Sequence, residues 1–144
     1  MPRMLGRVSK FGSAMVIAFS VAAAAWAHGI TERVSLGPSG TQSNPDSFLP
    51  AISAGRRFVA FQSFATNLVS GDTNGVVDVF VRDRQTGTTQ RVSLGPGGVQ
   101  ADLGGYLPAI SADERFVAFT SRATNPVRGD TNVFDDVFVR TLIP

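Results

Sequence analysis

Apolar residues along this chain fall in short runs of four to seven positions, rich in β-branched and aromatic side chains and bounded by Gly, Pro, Asp and Asn. That is the pattern of β-strands. The runs predict strands at 49–53, 58–63, 77–83 and 88–94, and again at 107–111, 116–121 and 136–141. In Phe58-Val59-Ala60-Phe61 and Phe116-Val117-Ala118-Phe119 both faces are apolar, as expected of strands sandwiched between neighbouring sheets. In Asp78-Val79-Phe80-Val81-Arg82, Val79 and Val81 share one face and Phe80 takes the other. The stretches 53–57, 111–115 and 83–87 read as hairpin turns, with Gly87 available for a positive φ.

The pattern also repeats. Shifted by 58 residues, so that Arg33 lies over Arg91, residues 33–82 match residues 91–140 without a gap and with 33 identities in 50 positions. A fixed period with its Gly, Pro and Asp punctuation in place marks one supersecondary unit per copy, stacked on its neighbour to bury a face it cannot bury alone. Copy one covers about 29–86 and copy two about 87–144. A four-stranded antiparallel sheet buried on both faces is the expectation for each; a free-standing two-sheet sandwich is the competing arrangement.

The string PAISA-x-x-RFVAF-x-S-x-ATN-x-V-x-GDTN, followed by DVFVRDRQTGTT, resembles the repeat of TolB-type, WD-repeat-like β-propellers, in the variety found in exported bacterial proteins. The resemblance covers residues 29–144 and lies in the structural repeat, so it implies an all-β fold of propeller blades, of the six-bladed TolB-like type, and transfers no functional residue. The first hairpin departs from the family's usual Asp-Gly: copy one has Gly55-Arg56 and copy two Asp113-Glu114. Relatives by resemblance include the periplasmic TolB component of a cell-envelope complex and propeller domains that gate peptidases.

The strand count then becomes informative. Residues 31–36 (TERVSL) correspond to 89–94 (TQRVSL), the fourth strand of a blade, whereas copy two reads only as far as its third strand. One expectation is blade closure between protomers, three of which would give a six-bladed ring. The other is a piece of a longer propeller.

Residues 1–27 carry a different pattern. Arg3, Arg7 and Lys10 precede an apolar run over 14–25 that ends in Ala25-Trp26-Ala27, which reads as a signal peptide with a helical apolar region and a small-x-small cleavage site. The run is short of the roughly 20 apolar residues that a bilayer span needs, so no membrane span is expected after cleavage; an uncleaved anchor is the alternative. The chain has no cysteine, which excludes a lipoprotein anchor and disulfide support. Secretion or periplasmic export follows, with residues 28–144 as the mature chain. Removing the leader takes three of thirteen basic residues, leaving ten against eleven acids, a net charge of −1. The remaining arginines are spread along the strands rather than clustered, so nucleic-acid binding is set aside.

Candidate chemistry is sparse. Residues 71–78 place Asp72, Asn74 and Asp78 at alternate positions beside a glycine, like the start of a calcium loop without its later acidic ligands. Copy two keeps Asp130, Asn132 and Asp136, with Val133 in place of the glycine. These six are the candidate metal ligands, and an Asx turn is the competing reading. Thr66, Asn67, Thr124 and Asn125 read as loop-fixing hydrogen-bonders. No catalytic or cofactor-binding residue is assigned: His28, the lone histidine, stands at the mature terminus, and Tyr106, aligned with Phe48, reads as a packing aromatic. The Gly-rich stretches 36–40 and 94–98 have no following helix to hold a phosphate and read as inter-blade loops. The expected function is a non-enzymatic binding module for a protein or carbohydrate; the alternatives are a propeller-type hydrolase or lyase of the cell envelope, for which the variable loops offer only Asp46, Asp102 and Tyr106, and a calcium-binding structural repeat protein.

Overall fold

A computed structural model describes residues 29–142, and its compact repeat-bearing unit begins at Glu32. The expected leader, 1–27, lies outside the described residues. Seven strands follow in order: β1 (Ser47–Ile52), β2 (Phe58–Ser63), β3 (Asp78–Asp83), β4 (Thr88–Arg91), β5 (Gly105–Ile110), β6 (Phe116–Ser121) and β7 (Asp136–Thr141). They form two antiparallel meanders, a four-stranded sheet β1-β2-β3-β4 and a three-stranded sheet β5-β6-β7. The chain is therefore all-β. The expected second four-stranded sheet has three strands among the described residues.

The two sheets are built in the same register. Phe61 faces Phe80 across β2 and β3, and Phe119 faces Phe138 across β6 and β7. β1 and β5 each carry a bulge, between Phe48 and Ala51 and between Tyr106 and Ala109, where Leu49 and Leu107 take φ of 51° and 54°. The bulge re-aims the strand so that pairing extends back to Ser47 and Gly105 rather than starting at 49 and 107. Pro50 and Pro108 are tolerated because they stand on edge strands, where the missing N–H costs no ladder bond. β4 stops at Arg91 instead of running to Leu94: the Val92 N–H still reaches the Val79 carbonyl at 2.8 Å, but the Leu94 N–H then turns back to the Val92 carbonyl at 2.9 Å. This three-residue turn ends the strand. Val34 and Leu36 make the same turn at 2.8 Å.

Sheet two stacks on sheet one, and the main core lies between them. Phe58, Ala60, Val79, Val81 and Val92 from one side meet Val117, Phe119 and Leu142 from the other. Full burial of such side chains stabilises by about 1.5–3 kcal/mol each, counted from area removed from water. On the far face of sheet one, Phe61 and Phe80 stack at 5.9 Å between ring centroids and are closed over by Ala65, Leu68 and Val69. The segment entering each sheet depends on main-chain proximity: a Cβ added at Gly37 would lie 2.2 Å from the Asn67 carbonyl oxygen, and one at Gly95 2.3 Å from that of Asn125. No helix among the described residues is long and apolar enough to cross a membrane.

Candidate functional site

The loop that enters β3 and the end of β4 meet at a buried ionic cluster. Arg91 Nη1 lies 3.0 Å from Asp72 Oδ1 and 3.2 Å from Asp78 Oδ2, with all three side chains shielded from solvent. Ser93 Oγ donates to Asp78 Oδ1 at 2.5 Å and accepts from the Val79 N–H at 3.1 Å. Asn74 Nδ2 donates to Asp78 Oδ2 at 2.9 Å and to the Ala101 carbonyl at 3.2 Å. Gln100 Oε1 receives both Arg91 Nη1 and the Thr73 N–H, at 2.9 and 3.0 Å. Burial pushes the Asp72 carboxyl up, the nearby charge of Asp78 adds to this, and Arg91 opposes it. The buried Arg91 Nε has no hydrogen-bond partner among the described residues.

Asp72, Asn74 and Asp78 are thus brought together, and the position between their carboxylates is taken by a guanidinium. Among the described residues no three His, Cys, Asp or Glu side chains converge as a metal cage. Asn74 also accepts the Val76 N–H at 3.4 Å, an Asx turn of the kind that holds such loops without an ion. Sequence reasoning did not assign Arg91 and Ser93 to this cluster. Their signal was the recurrence of Arg-Val-Ser-Leu at 33–36 and 91–94 in step with the aspartates.

In sheet two the same loop stands open. Asn132 Nδ2 donates to Asp136 Oδ2 at 3.1 Å and Asn132 Oδ1 accepts the Phe134 N–H at 2.8 Å, repeating the local geometry of Asn74. Asp130 and Asp136 are half-buried, and the neighbouring Phe134 is 74% exposed. Asp135 instead takes Arg122, at 3.2 Å, and the hydroxyl of Tyr106. Tyr106 therefore has a carboxylate partner at the surface, which its reading as a packing aromatic does not include.

The remaining polar clusters hold loops. Asn67 Nδ2 donates to the Gln42 carbonyl at 2.7 Å and Asn125 Nδ2 to that of Gln100 at 2.8 Å, while Asn44 and Asp102 receive the N–H groups of Thr66 and Thr124 at 3.0 and 2.9 Å. The Thr124 hydroxyl and N–H hold the Asp102 carboxyl below the usual range. Asp83 closes the 83–87 hairpin. It takes Arg57 Nη2 at 2.7 Å and the Gln85 N–H at 2.8 Å, and the guanidinium followed by these backbone donors holds its carboxyl at about 2. His28 lies outside the described residues.

No family model and no curated protein matches the chain. Among solved structures it is similar to the crystal structure of TolB from Acinetobacter baumannii, with 19% identity and a TM-score of 0.42. The match covers 68% of this chain and 19% of the TolB chain, so this sequence spans a minor part of that protein's length. The likeness is a coarse one of all-β fold.

Proposed function

We propose that the chain is a non-enzymatic, exported β-propeller module, a two-blade portion of a six-bladed TolB-like ring, that works by presenting its surface to a protein or carbohydrate partner. The observation that carries this reading is how the ionisable side chains are spent. Arg91 bridges Asp72 and Asp78, Arg57 clamps Asp83, Asp102 holds Thr124, and Asp135 holds Arg122. Acid–base work needs a titrating group poised against open space, and these groups are committed to strands and loops. Exposed apolar side chains supply the complementary argument: Phe134, Val137 and Val139 stand 74%, 74% and 66% exposed on one region of sheet two, a surface that gains by being covered. Export rests on the leader pattern of residues 1–27.

The test is a direct one. Purified chain is titrated against cell-envelope glycan fragments and immobilised envelope proteins, and in parallel incubated with ester, peptide and glycoside substrates. Saturable binding without turnover is expected. Turnover that disappears in Tyr106→Phe or Asp102→Asn would establish the hydrolase or lyase alternative instead.

A further inference from the structure

Independently of what the module binds, we infer that residues by which the two copies differ fix which sheet stacks on which. The face that sheet one turns to its neighbour accepts a sheet of the copy-two kind and rejects one of its own kind.

Near-identical neighbours in a repeat protein are prone to stack in the wrong order or across chains. The 50 aligned positions hold 33 identities, so 17 differ, and six residues that meet between the sheets come from that set. On the sheet-one side they are Gly55, Gln62 and Val77, where copy two has Asp113, Thr120 and Asp135. On the sheet-two side they are Gly104, Gly105 and Glu114, where copy one has Asp46, Ser47 and Arg56.

Each contact suits this order alone. Ser53 Oγ, in the first hairpin of sheet one, donates across to Glu114 Oε1 at 2.6 Å. The carboxylate has room because Gly55 carries no Cβ; one added there would collide with Glu114 Oε1. Gly55 lies outside the left-handed region, so what the position requires is space rather than backbone freedom. In sheet two the matching hydroxyl, on Ser111, is taken by Asp113 of its own hairpin at 2.6 Å. Sheet two thus fills its own slot, whereas sheet one leaves the slot open for Glu114. Arg56 in the place of Glu114 would present a guanidinium, which has no acceptor for the serine proton.

The second contact lies further along the same interface. The buried Gln62 Oε1 accepts the Leu107 N–H at 2.8 Å, at the bulge where Leu107 takes a φ of 54°. A threonine hydroxyl in its place is two bonds shorter and leaves that N–H without its acceptor. The third contact is the nearest approach of the two main chains, with the Gly105 N–H 2.9 Å from the Val77 carbonyl. A Cβ at Gly104 would lie 2.7 Å from Val77 Cγ1, and one at Gly105 3.0 Å from Ser93 Cβ. Copy one would bring both carbons, on Asp46 and Ser47. Discrimination of this kind comes as much from what the wrong neighbour strikes as from what the right one bonds.

Urea unfolding of the full chain tests this with two sets of exchanges, both of which make copy two more like copy one. Gly104→Asp, Gly105→Ser and Glu114→Arg together alter the contact and are expected to lower the folding equilibrium constant by about 100-fold or more. Val99→Thr, Arg128→Ser and Phe134→Val together alter exposed positions and are expected to lower it by less than about 10-fold. Similar losses from the two sets overturn the inference. Double-mutant cycles then separate a lost contact from a poorly tolerated residue, even where the contact set does not fold. Glu114→Ala is expected to lower the constant by about 10-fold in the wild type but by less than about 2-fold after Gly55→Asp, which closes the slot as Asp113 does. Gly104→Ala is expected to lower it by about 10-fold in the wild type and by less than about 3-fold in Val77→Ala, where the obstructing methyl is gone. Independent effects in either cycle overturn the inference.

Discussion

β3 and β7 contain the same five residues, Asp-Val-Phe-Val-Arg, in the same register with their neighbours, and live in opposite environments. Val79 and Val81 are wholly shielded, while Val137 and Val139 are 74% and 66% exposed. Asp78 is paired with Arg91 in the interior, while Asp136 has Asn132 for company at the edge. The strand's local structure is a property of its sequence, because the pairing with the preceding strand and the alternation are the same in both. Its burial is a property of what lies next to it.

The comparison breaks most sharply at Arg91. Arg91→Leu strands two carboxylates in the interior and is expected to cost about 3–5 kcal/mol in urea unfolding, as when one partner of a buried pair is removed. Asp130→Asn and Asp136→Asn in dilute solution are expected to cost less than about 0.5 kcal/mol, in line with surface substitutions. Equal losses in both sheets would refute the contrast. Next comes Val79→Ala, which removes two buried methyl groups and leaves a cavity, for about 2 kcal/mol. Val137→Ala, measured the same way at dilution, is expected to change little.

A smaller effect appears with pH. Asp83 is held at about 2, below its unfolded value, so the stability it contributes is complete above that unfolded value and lost as pH falls through about 2. Its counterpart in sheet two is Thr141, which cannot titrate. Between pH 4 and pH 2 the wild type is expected to lose roughly 1 kcal/mol that Asp83→Asn does not lose, a figure discounted because Arg57 is partly in solvent. Thermal melts of the two proteins across that range measure the difference. Asp72 acts in the opposite sense: its raised carboxyl opposes folding at neutral pH, and acid relieves that cost.

β2, β6 and β7 were legible to the residue, since their apolar runs begin and end at turn residues. β1 and β5 were misplaced by two residues at their start, because a bulge at Leu49 or Leu107 leaves no mark on the apolar alternation. The overrun of β4 has a similar origin: Val92 and Leu94 look like strand residues, but Val92 packs between the sheets and the Leu94 N–H turns back to the Val92 carbonyl. At the candidate site the aspartates were visible and their partner was not. Arg91 lies 13 residues from Asp78 and reaches it only through the pairing of β4 on β3, which composition does not encode. Nor can two identical strings announce that one is covered and the other open.

The positive φ of Arg56 and Glu114, 60° and 64°, shows how much irregularity the hairpins absorb at their outer tips. At Gly37 and Gly95 nothing comparable is tolerated, for there a carbonyl of the loop after β2 or β6 rests against a bare α-carbon. The approach of the entering segment to its own sheet is therefore set by main-chain contact at these two points. Extra carbon at either glycine would act as a shim, lifting the entering segment off the sheet it leads into.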